Sequence, residues 1–257
     1  MDLLCYFLAM LDDFLTYPED LVFLKLVPLS TLDHLSPDSL FVVLITTKTF
    51  KSVISICRRP SAVTTLGMPN YIFGIAFFDG KLYALSLKKL FSFEIVSSYE
   101  GKPRVSSRKH VAKAVKDPGI VYRSIADKTY TATYWSYLAE SNGKLLHVRR
   151  LIGALSTLRK EDRMENGRTL SFQVFELDLT TNSRRKWRRF NTLGDQALFV
   201  GTHSKSLTAS ECGAQEDYIY FLCDCGVSNM RDGTITPLLL DCASIRLQGA
   251  SNVGFPY

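Results

Sequence analysis

Four dipeptides constrain this chain more than any other feature: Asp79-Gly80, Asn142-Gly143, Asn166-Gly167 and Asp232-Gly233. A two-residue turn between antiparallel strands needs positive φ at both central residues, and Asn, Asp and Gly tolerate that at little cost. A chain punctuated in this way is expected to fold as β-hairpins. Around Asp79-Gly80 the pattern is complete. Residues 71–78 read as a strand. Residues 81–87 return with Tyr83, Leu85 and Leu87 on one face and Leu82, Ala84 and Ser86 on the other. Residues 90–96 then put Phe91, Phe93 and Ile95 on a common face. Three short strands with tight connections make an antiparallel meander.

Weaker versions of this unit fill the rest of the chain. Residues 22–26, 41–45 and 53–57 are short β-leaning runs, and Pro28, Ser30, Ser36 and Pro37 favour turns between the first two. Residues 130–140, with Trp135, lead through Asn142-Gly143 into residues 145–149. Residues 172–201 carry the densest signal: a strand, a polar turn, a strand holding Trp187, a Gly194-Asp195 turn and a third strand. Residues 218–225 and 235–241 are the last two strand candidates, with Asp232-Gly233 as the turn between them. Residues 100–127 are polar and basic with little periodicity, and are expected to form a long connection with a helical turn near residues 110–116. Aromatic residues make up 12% of the chain, which leans the same way, since rings fit a pleated surface.

No long amphipathic helices alternate with these strands, which argues against a parallel α/β sheet. Short strands grouped in threes and fours fit an all-β fold, a β-propeller, whose blades are four-stranded meanders. At ~40–50 residues per blade, one domain spanning residues 1–257 holds about five to six blades. The support is best over residues 41–241. Residues 1–15 are apolar on nearly every face and have no cap, so the ring is expected to be incomplete or irregularly closed near residues 1–26.

Chemistry is harder to find. The six cysteines are Cys5, Cys57, Cys212, Cys223, Cys225 and Cys242, and the four histidines are His34, His110, His147 and His203. Cys223-x-Cys225 puts both sulfurs on one strand face, which suits buried core thiols better than the wider C-x2-4-C spacing of zinc sites. The histidines lack i, i+4 pairing. Nucleophile elbows, metalloprotease motifs and glycine-rich phosphate cradles are all absent. The expectation is no catalytic residue, no cofactor and no metal, hence not an enzyme. The apolar run at residues 3–11 follows Asp2 and precedes Asp12-Asp13, unlike a secretory leader. It is also far short of the ~20 residues that cross a bilayer. An intracellular protein with reduced thiols, cytoplasmic and/or nuclear and without a membrane partner, is expected.

The formal net charge of +6 is modest for this length. Lys and Arg concentrate at residues 102–116, 149–168 and 184–189. The last run, Arg184, Arg185, Lys186, Trp187, Arg188 and Arg189, is the one candidate contact site. Basic residues around an aromatic contact phosphates and stack on bases in nucleic-acid binders, and short basic runs also serve as nuclear-localisation signals. On a strand, however, Arg185, Trp187 and Arg189 share one face while Arg184, Lys186 and Arg188 share the other. A packed indole with charges reaching solvent is the expected arrangement.

At residues 172–201 the order of residues resembles the plant family of F-box-associated β-propellers of the KIB type, a family of unknown function. There, a strand of the form F-x-V-F-x-L-D precedes a Trp and a phrase S-L-G-D-x-A-L-F-L-G. This chain has FQVFELD, Trp187, and Leu193, Gly194, Asp195, Ala197, Leu198, Phe199 and Gly201. Tyr137-Leu138-Ala139-Glu140-Ser141 with Gly143, Leu145 and Leu146 is similar to the family's Y-L-V-E-S-x-G-x-L-L. Phe78, Gly80, Lys81, Tyr83 and Ala84 resemble its F-x-x-G-K-x-Y-A hairpin, and Ile219-Tyr220-Phe221 its late I-Y-F strand. The family's R-P-G-D-x-x-W segment is reduced here to Arg59-Pro60-Ser61, and no F-box pattern precedes the strands.

The resemblance implies a non-catalytic protein-interaction platform. In F-box-bearing relatives it implies substrate reception for a cullin-type ubiquitin ligase through a Skp-type adaptor. For this chain the expectation is protein partners of unknown identity, bound by loops at the ends of the propeller channel. The alternatives are a basic-surface nucleic-acid binder, which is disfavoured, and a propeller enzyme, which is disfavoured further. The first requires residues 184–189 to join residues 102–116 in one basic face; the second requires ionisable groups converging in an open pocket.

Overall fold

The structure, a computed structural model, describes residues 21–28, 40–47, 51–58, 62–68, 70–97, 103–163, 165–179, 185–201, 204–221 and 226–237. These form four sheets that follow one another along the chain. The first is β1 (Leu21–Pro28), β2 (Leu40–Thr47), β3 (Ser52–Arg58) and β4 (Ala62–Met68). The second is β5 (Ile72–Phe78), β6 (Lys81–Ser86), β7 (Lys89–Ser97) and β8 (Pro103–Lys113). The third is β9 (Val121–Ile125), β10 (Lys128–Ser141), β11 (Lys144–Leu155), β12 (Arg168–Asp178) and β13 (Lys186–Phe190). The fourth is β14 (Gln196–Val200), β15 (Lys205–Thr208), β16 (Tyr218–Phe221), β17 (Gly226–Asn229) and β18 (Ile235–Pro237). A single helical turn, Ala209–Cys212, separates β15 from β16.

The sheets stack as propeller blades, and three apolar layers glue them in sequence. Val42, Leu44, Ile54, Ile56, Ile75 and Phe93 fill the layer between the first and second sheets. Tyr83, Leu85, Leu90, Leu138, Leu145 and Leu177 fill the next. Ala139, Leu146, Val148, Val174, Leu198 and Ile219 fill the third. Strands buried on both faces need no polar alternation. β2 shows this, with the run from Phe41 to Thr46 buried throughout. Ser52 ties the first blade to the second, since its hydroxyl hydrogen-bonds Thr46 Oγ1 at 3.1 Å and accepts from the Ile72 N–H at 2.9 Å.

β1, β5, β10 and β15 lie at the inner side of their sheets, with β5 against both β1 and β10 and with β10 against β15. Gly74 permits the close approach of β5 to β10, because a Cβ there would stand 3.1 Å from the Leu138 backbone nitrogen. The outer strands are β4, β8, β13 and β18. Asp79-Gly80 (φ 46° and 68°) and Asn142-Gly143 (φ 46° and 70°) are the two-residue turns that their chemistry predicts.

Several expectations need correction. Residues 100–127 are no long connection: they contain β8 and β9, and His110 to Lys113 are strand rather than helical turn. β8 is an outer edge strand with most of its side chains in solvent, so it carries charges that mimic a loop and protect the edge. Asn166-Gly167 does not close a two-residue hairpin. It ends a longer connection from β11 to β12, and the Asn166 side-chain amide donates to the Asp162 carbonyl at 2.8 Å. Asp232-Gly233 joins β17 to β18, not β16 to the last strand. The fourth sheet also departs from a meander, with order β15-β14-β16-β17-β18 and β14 parallel to β16. The third blade takes residues 121–190, well beyond an average blade, so four sheets account for the described residues. Residues 1–20 lie outside them, and so does the expectation of irregular closure there, except that β1 is present and pairs with β2.

Candidate partner-binding surface

β13 places the basic run on the outer edge of the third blade. Among the described residues it pairs only with β12, through Leu177↔Trp187, Glu176↔Arg188 and Phe175↔Arg189. Trp187 turns toward the second blade, where its indole packs beside the layer of Tyr83 and Leu90. Its Nε1–H donates to the Lys113 carbonyl at 3.0 Å, and its ring meets His147 edge-on at 5.3 Å between centroids. Lys186 and Arg188 lie on the opposite face, as strand periodicity requires. Arg185, Lys186, Arg188 and Arg189 are all exposed, and Arg184 lies outside the described residues. Arg188 ion-pairs with the buried carboxylate of Asp178 at 2.5 Å. Burial holds the Tyr83 phenol above its ordinary value, with the charges of Lys81 and Arg185 opposing the shift.

The indole hydrogen bond brings β13 against the end of β8, so two of the three basic segments meet at the rim. Along β8 the charge is partly offset. A hydrogen bond from the Ser107 side chain, together with Lys109 and Lys81 at 3.7 and 3.4 Å, holds the Glu94 carboxyl below its ordinary value. Part of the third segment turns inward, while Arg159, Lys160 and Arg168 stay exposed. Arg150 is buried and donates from Nε to Thr169 Oγ1 at 2.8 Å, with its guanidinium over the Phe221 ring. Arg163 donates to the Ser156 and Leu158 carbonyls, and Arg168 lies over Tyr130 and donates to its hydroxyl. Replacing Trp187 with phenylalanine keeps the packing and removes the tie to β8. We expect a loss of about 1 kcal/mol in urea unfolding, the usual worth of one such hydrogen bond.

Between the second and third blades, β11 buries two ionisable groups on one face. His147 is 2% exposed, shares a 2.9 Å hydrogen bond with Ser136 Oγ and has no partner at Nδ1 among the described residues. Burial, reinforced by the charge of Arg149, pushes its pKa down to about 3, so the imidazole is neutral at any physiological pH. Arg149 lies over the Tyr134 ring, 3.9 Å from its centroid, with Asp117 at 4.0 Å. Its pKa is also lowered by burial, against the pull of Tyr134 and Asp117. A neutral, enclosed imidazole beside a stacked guanidinium packs two blades together, and its low pKa makes it a poor proton carrier near neutrality. Among the described residues no group of three or more His, Cys, Asp or Glu is placed to hold a metal. Cys57 is buried, with its thiol pushed up to about 12, and Cys212 is exposed; Cys5, Cys223, Cys225 and Cys242 lie outside the described residues.

The Gly194-Asp195 turn is also built into the scaffold. Gly194 adopts φ 67°, and Asp195 accepts at its carbonyl from the Ala209 N–H at 2.9 Å. Beside it, Asp217 gathers the Leu193 N–H, the Thr192 hydroxyl and the Arg231 guanidinium.

One surface lies entirely outside the candidates that sequence reasoning raised. The exposed large apolar side chains among the described residues are Leu87, Val96, Ile120, Tyr122 and Ile125. Three of these five fall within six residues, on and beside β9. Ile120 is 67% exposed, Tyr122 71% and Ile125 40%. β9 pairs with residues 128–132 of β10, next to the inner strands, and no described strand pairs with its other edge. The alternation of Val121, Arg123 and Ile125 with Tyr122 and Ser124 was the available signal. The Ala126-Asp127 turn hid it, because alanine is a poor marker for the positive φ of 46° adopted there.

No helix among the described residues is long and apolar enough to cross a membrane. No curated protein and no solved structure matched the chain. The KIB1-4 beta-propeller family matches it over residues 9–246, nearly its full length. With four stacked blades, a packed Trp187 and a scaffold role for the Gly194-Asp195 turn, the chain belongs to the KIB1-4 beta-propeller family.

Proposed function

We propose that this propeller is a non-catalytic protein-interaction platform of the substrate-receptor kind. The observation that carries the reading is the run of exposed apolar side chains Ile120, Tyr122 and Ile125, spread over both faces of a strand whose outer edge no described strand covers, where a protein partner gains by burying surface. The enclosure of His147 and Arg149 supports a scaffold over a reaction centre. The free thiols of Cys57 and Cys212 suit a reducing compartment, cytoplasm or nucleus. A link to a cullin-type ubiquitin ligase follows from the family resemblance.

A second reading, nucleic-acid binding, is favoured by one observation: β8 and β13 meet at the rim and bring their basic residues together. Affinity purification of the tagged protein from its native tissue, followed by mass spectrometry, separates the two. The platform reading expects a protein partner recovered in comparable amount and retained after nuclease treatment. Skp-type and cullin subunits among the recovered proteins would place it in a ligase. Recovery of nuclease-sensitive material alone, with binding lost steeply as salt rises, would overturn it in favour of nucleic acid.

A further inference from the structure

We infer that β9 is a strand-addition site for an extended segment of a partner protein that alternates acidic and apolar side chains. This rests on the platform reading and specifies its binding mode. The Ala126-Asp127 turn makes Ile125↔Lys128 the hydrogen-bonded pair that closes the hairpin. Hydrogen-bonded and non-hydrogen-bonded pairs alternate along an antiparallel ladder. Arg123, opposite Tyr130, therefore turns its N–H and C=O toward β10, and so does Val121, opposite Ala132. Tyr122 and Ser124 turn theirs away. Four backbone groups in a row thus face outward from a strand whose side chains are mostly exposed. Peptides that add a strand to a sheet edge take their affinity from such groups and their specificity from alternate side chains.

Side-chain placement sets the occupant's chemistry. Tyr122 lies on one face of the edge, with Ile120 exposed just before the strand, and presents apolar surface to an incoming strand. Arg123 lies on the other face, between Val121 and Ile125 and opposite Tyr130, and Arg168 is stacked over that ring. Two guanidinium groups thus gather on one face around a tyrosine, and the incoming residue opposite Arg123 is best acidic.

The same geometry disfavours a second copy of this chain. An antiparallel β9–β9 pair using all four outward groups sets Tyr122 against Ser124 and, at its centre, Arg123 directly against Arg123. Like charges in that position destabilise a pair, and each copy carries a net +6. The ordinary protections of an open edge are sparse here. β9 has no proline and no break in register with β10, and Arg123 is its one charge.

The test uses the full chain and a blocked heptapeptide alternating valine and glutamate, with a valine–lysine peptide as its counterpart. The acidic peptide is expected to slow hydrogen exchange at the Tyr122 and Ser124 amides and to leave those of Val121 and Arg123 unchanged. Ser124→Pro removes one outward N–H that the hairpin does not use, and is expected to abolish the protection. Arg123→Glu leaves the ladder intact and is expected to reverse the preference toward the lysine peptide, by about fivefold. It keeps the test decisive if Ser124→Pro does not fold. The inference is overturned if neither peptide protects the two amides, or if Arg123→Glu leaves the preference unchanged. It is also overturned if concentration alone protects them, which would make a second copy the occupant. A native partner that binds Ser124→Pro and Arg123→Glu undiminished would remove the strand-addition site and leave the platform reading standing.

Discussion

Asp217→Ala is expected to destabilise the protein by about 3 kcal/mol. The carboxylate is 1% exposed and accepts from the Leu193 N–H at 2.6 Å, the Thr192 hydroxyl at 3.1 Å and Arg231 Nε at 3.0 Å. Its own backbone is equally committed, donating to the Gln196 carbonyl at 3.0 Å and accepting from the Met230 N–H at 2.9 Å. Truncation strands the buried Leu193 amide, which alone costs about 1–3 kcal/mol. Alanine also adopts the φ of 66° found there less readily than aspartate. Arg231 is mostly in solvent and stays hydrated without its partner, so Arg231→Ala is expected to cost less than about 1 kcal/mol. Asp217→Asn keeps an acceptor for Leu193 and should fall between them. Urea midpoints for the three variants measure the order. Equal losses for Asp217→Ala and Arg231→Ala would mean that only the surface ion pair matters.

His147 gives the second large effect, and it depends on pH. The unfolded chain titrates near the ordinary histidine value of 6.5, whereas the folded imidazole stays neutral down to about 3. Below pH 6.5 the unfolded state therefore takes up a proton that the native state refuses, and stability falls as pH falls. The slope is about 1.4 kcal/mol per pH unit, so wild type should lose about 2 kcal/mol between pH 7.5 and pH 5 through this residue. Above pH 7 the contribution is flat. His147→Gln keeps a hydrogen-bonding group opposite Ser136 and does not titrate, so the stability gap between wild type and variant should change by that amount over this range. A gap that is the same at both pH values would show that the folded imidazole protonates normally.

The blades built on Asn-Gly and Asp-Gly turns were legible from sequence because both turn residues reach positive φ and the flanking runs are apolar. Phe91, Phe93 and Ile95 do share the face against the first blade, and Trp187 does pack between blades. β8 was not legible, since an outer strand with solvent on most sides carries the composition of a loop. β4 and β17 were missed for want of a turn signal: Ala62–Met68 is nearly free of charge and pattern, and Gly226–Asn229 is four residues long. The basic run 184–189 was visible as composition, but the use of Arg188 on Asp178 was not. That pairing joins a diagonal neighbour across β12 and β13. Asp217 was equally hidden, because its three partners lie 14 to 25 residues away in sequence.

The parallel pairing of β14 with β16 bears on the order in which the protein assembles during synthesis. In the first three blades every strand pairs with the strand before or after it, so each can close as soon as its own residues leave the ribosome. β14 differs. It must wait, with one edge open, until the chain has made β15, turned through Ala209–Cys212 and brought Tyr218–Phe221 back alongside it. The buried Asp217 immediately precedes that returning strand, so the residue that secures the Leu193 turn emerges only when β16 is ready to pair. The fourth blade is thus expected to close last in a nascent chain, and the stretch from Gln196 to Val200, apolar and open along one edge in the interval, is where a chaperone has most reason to bind.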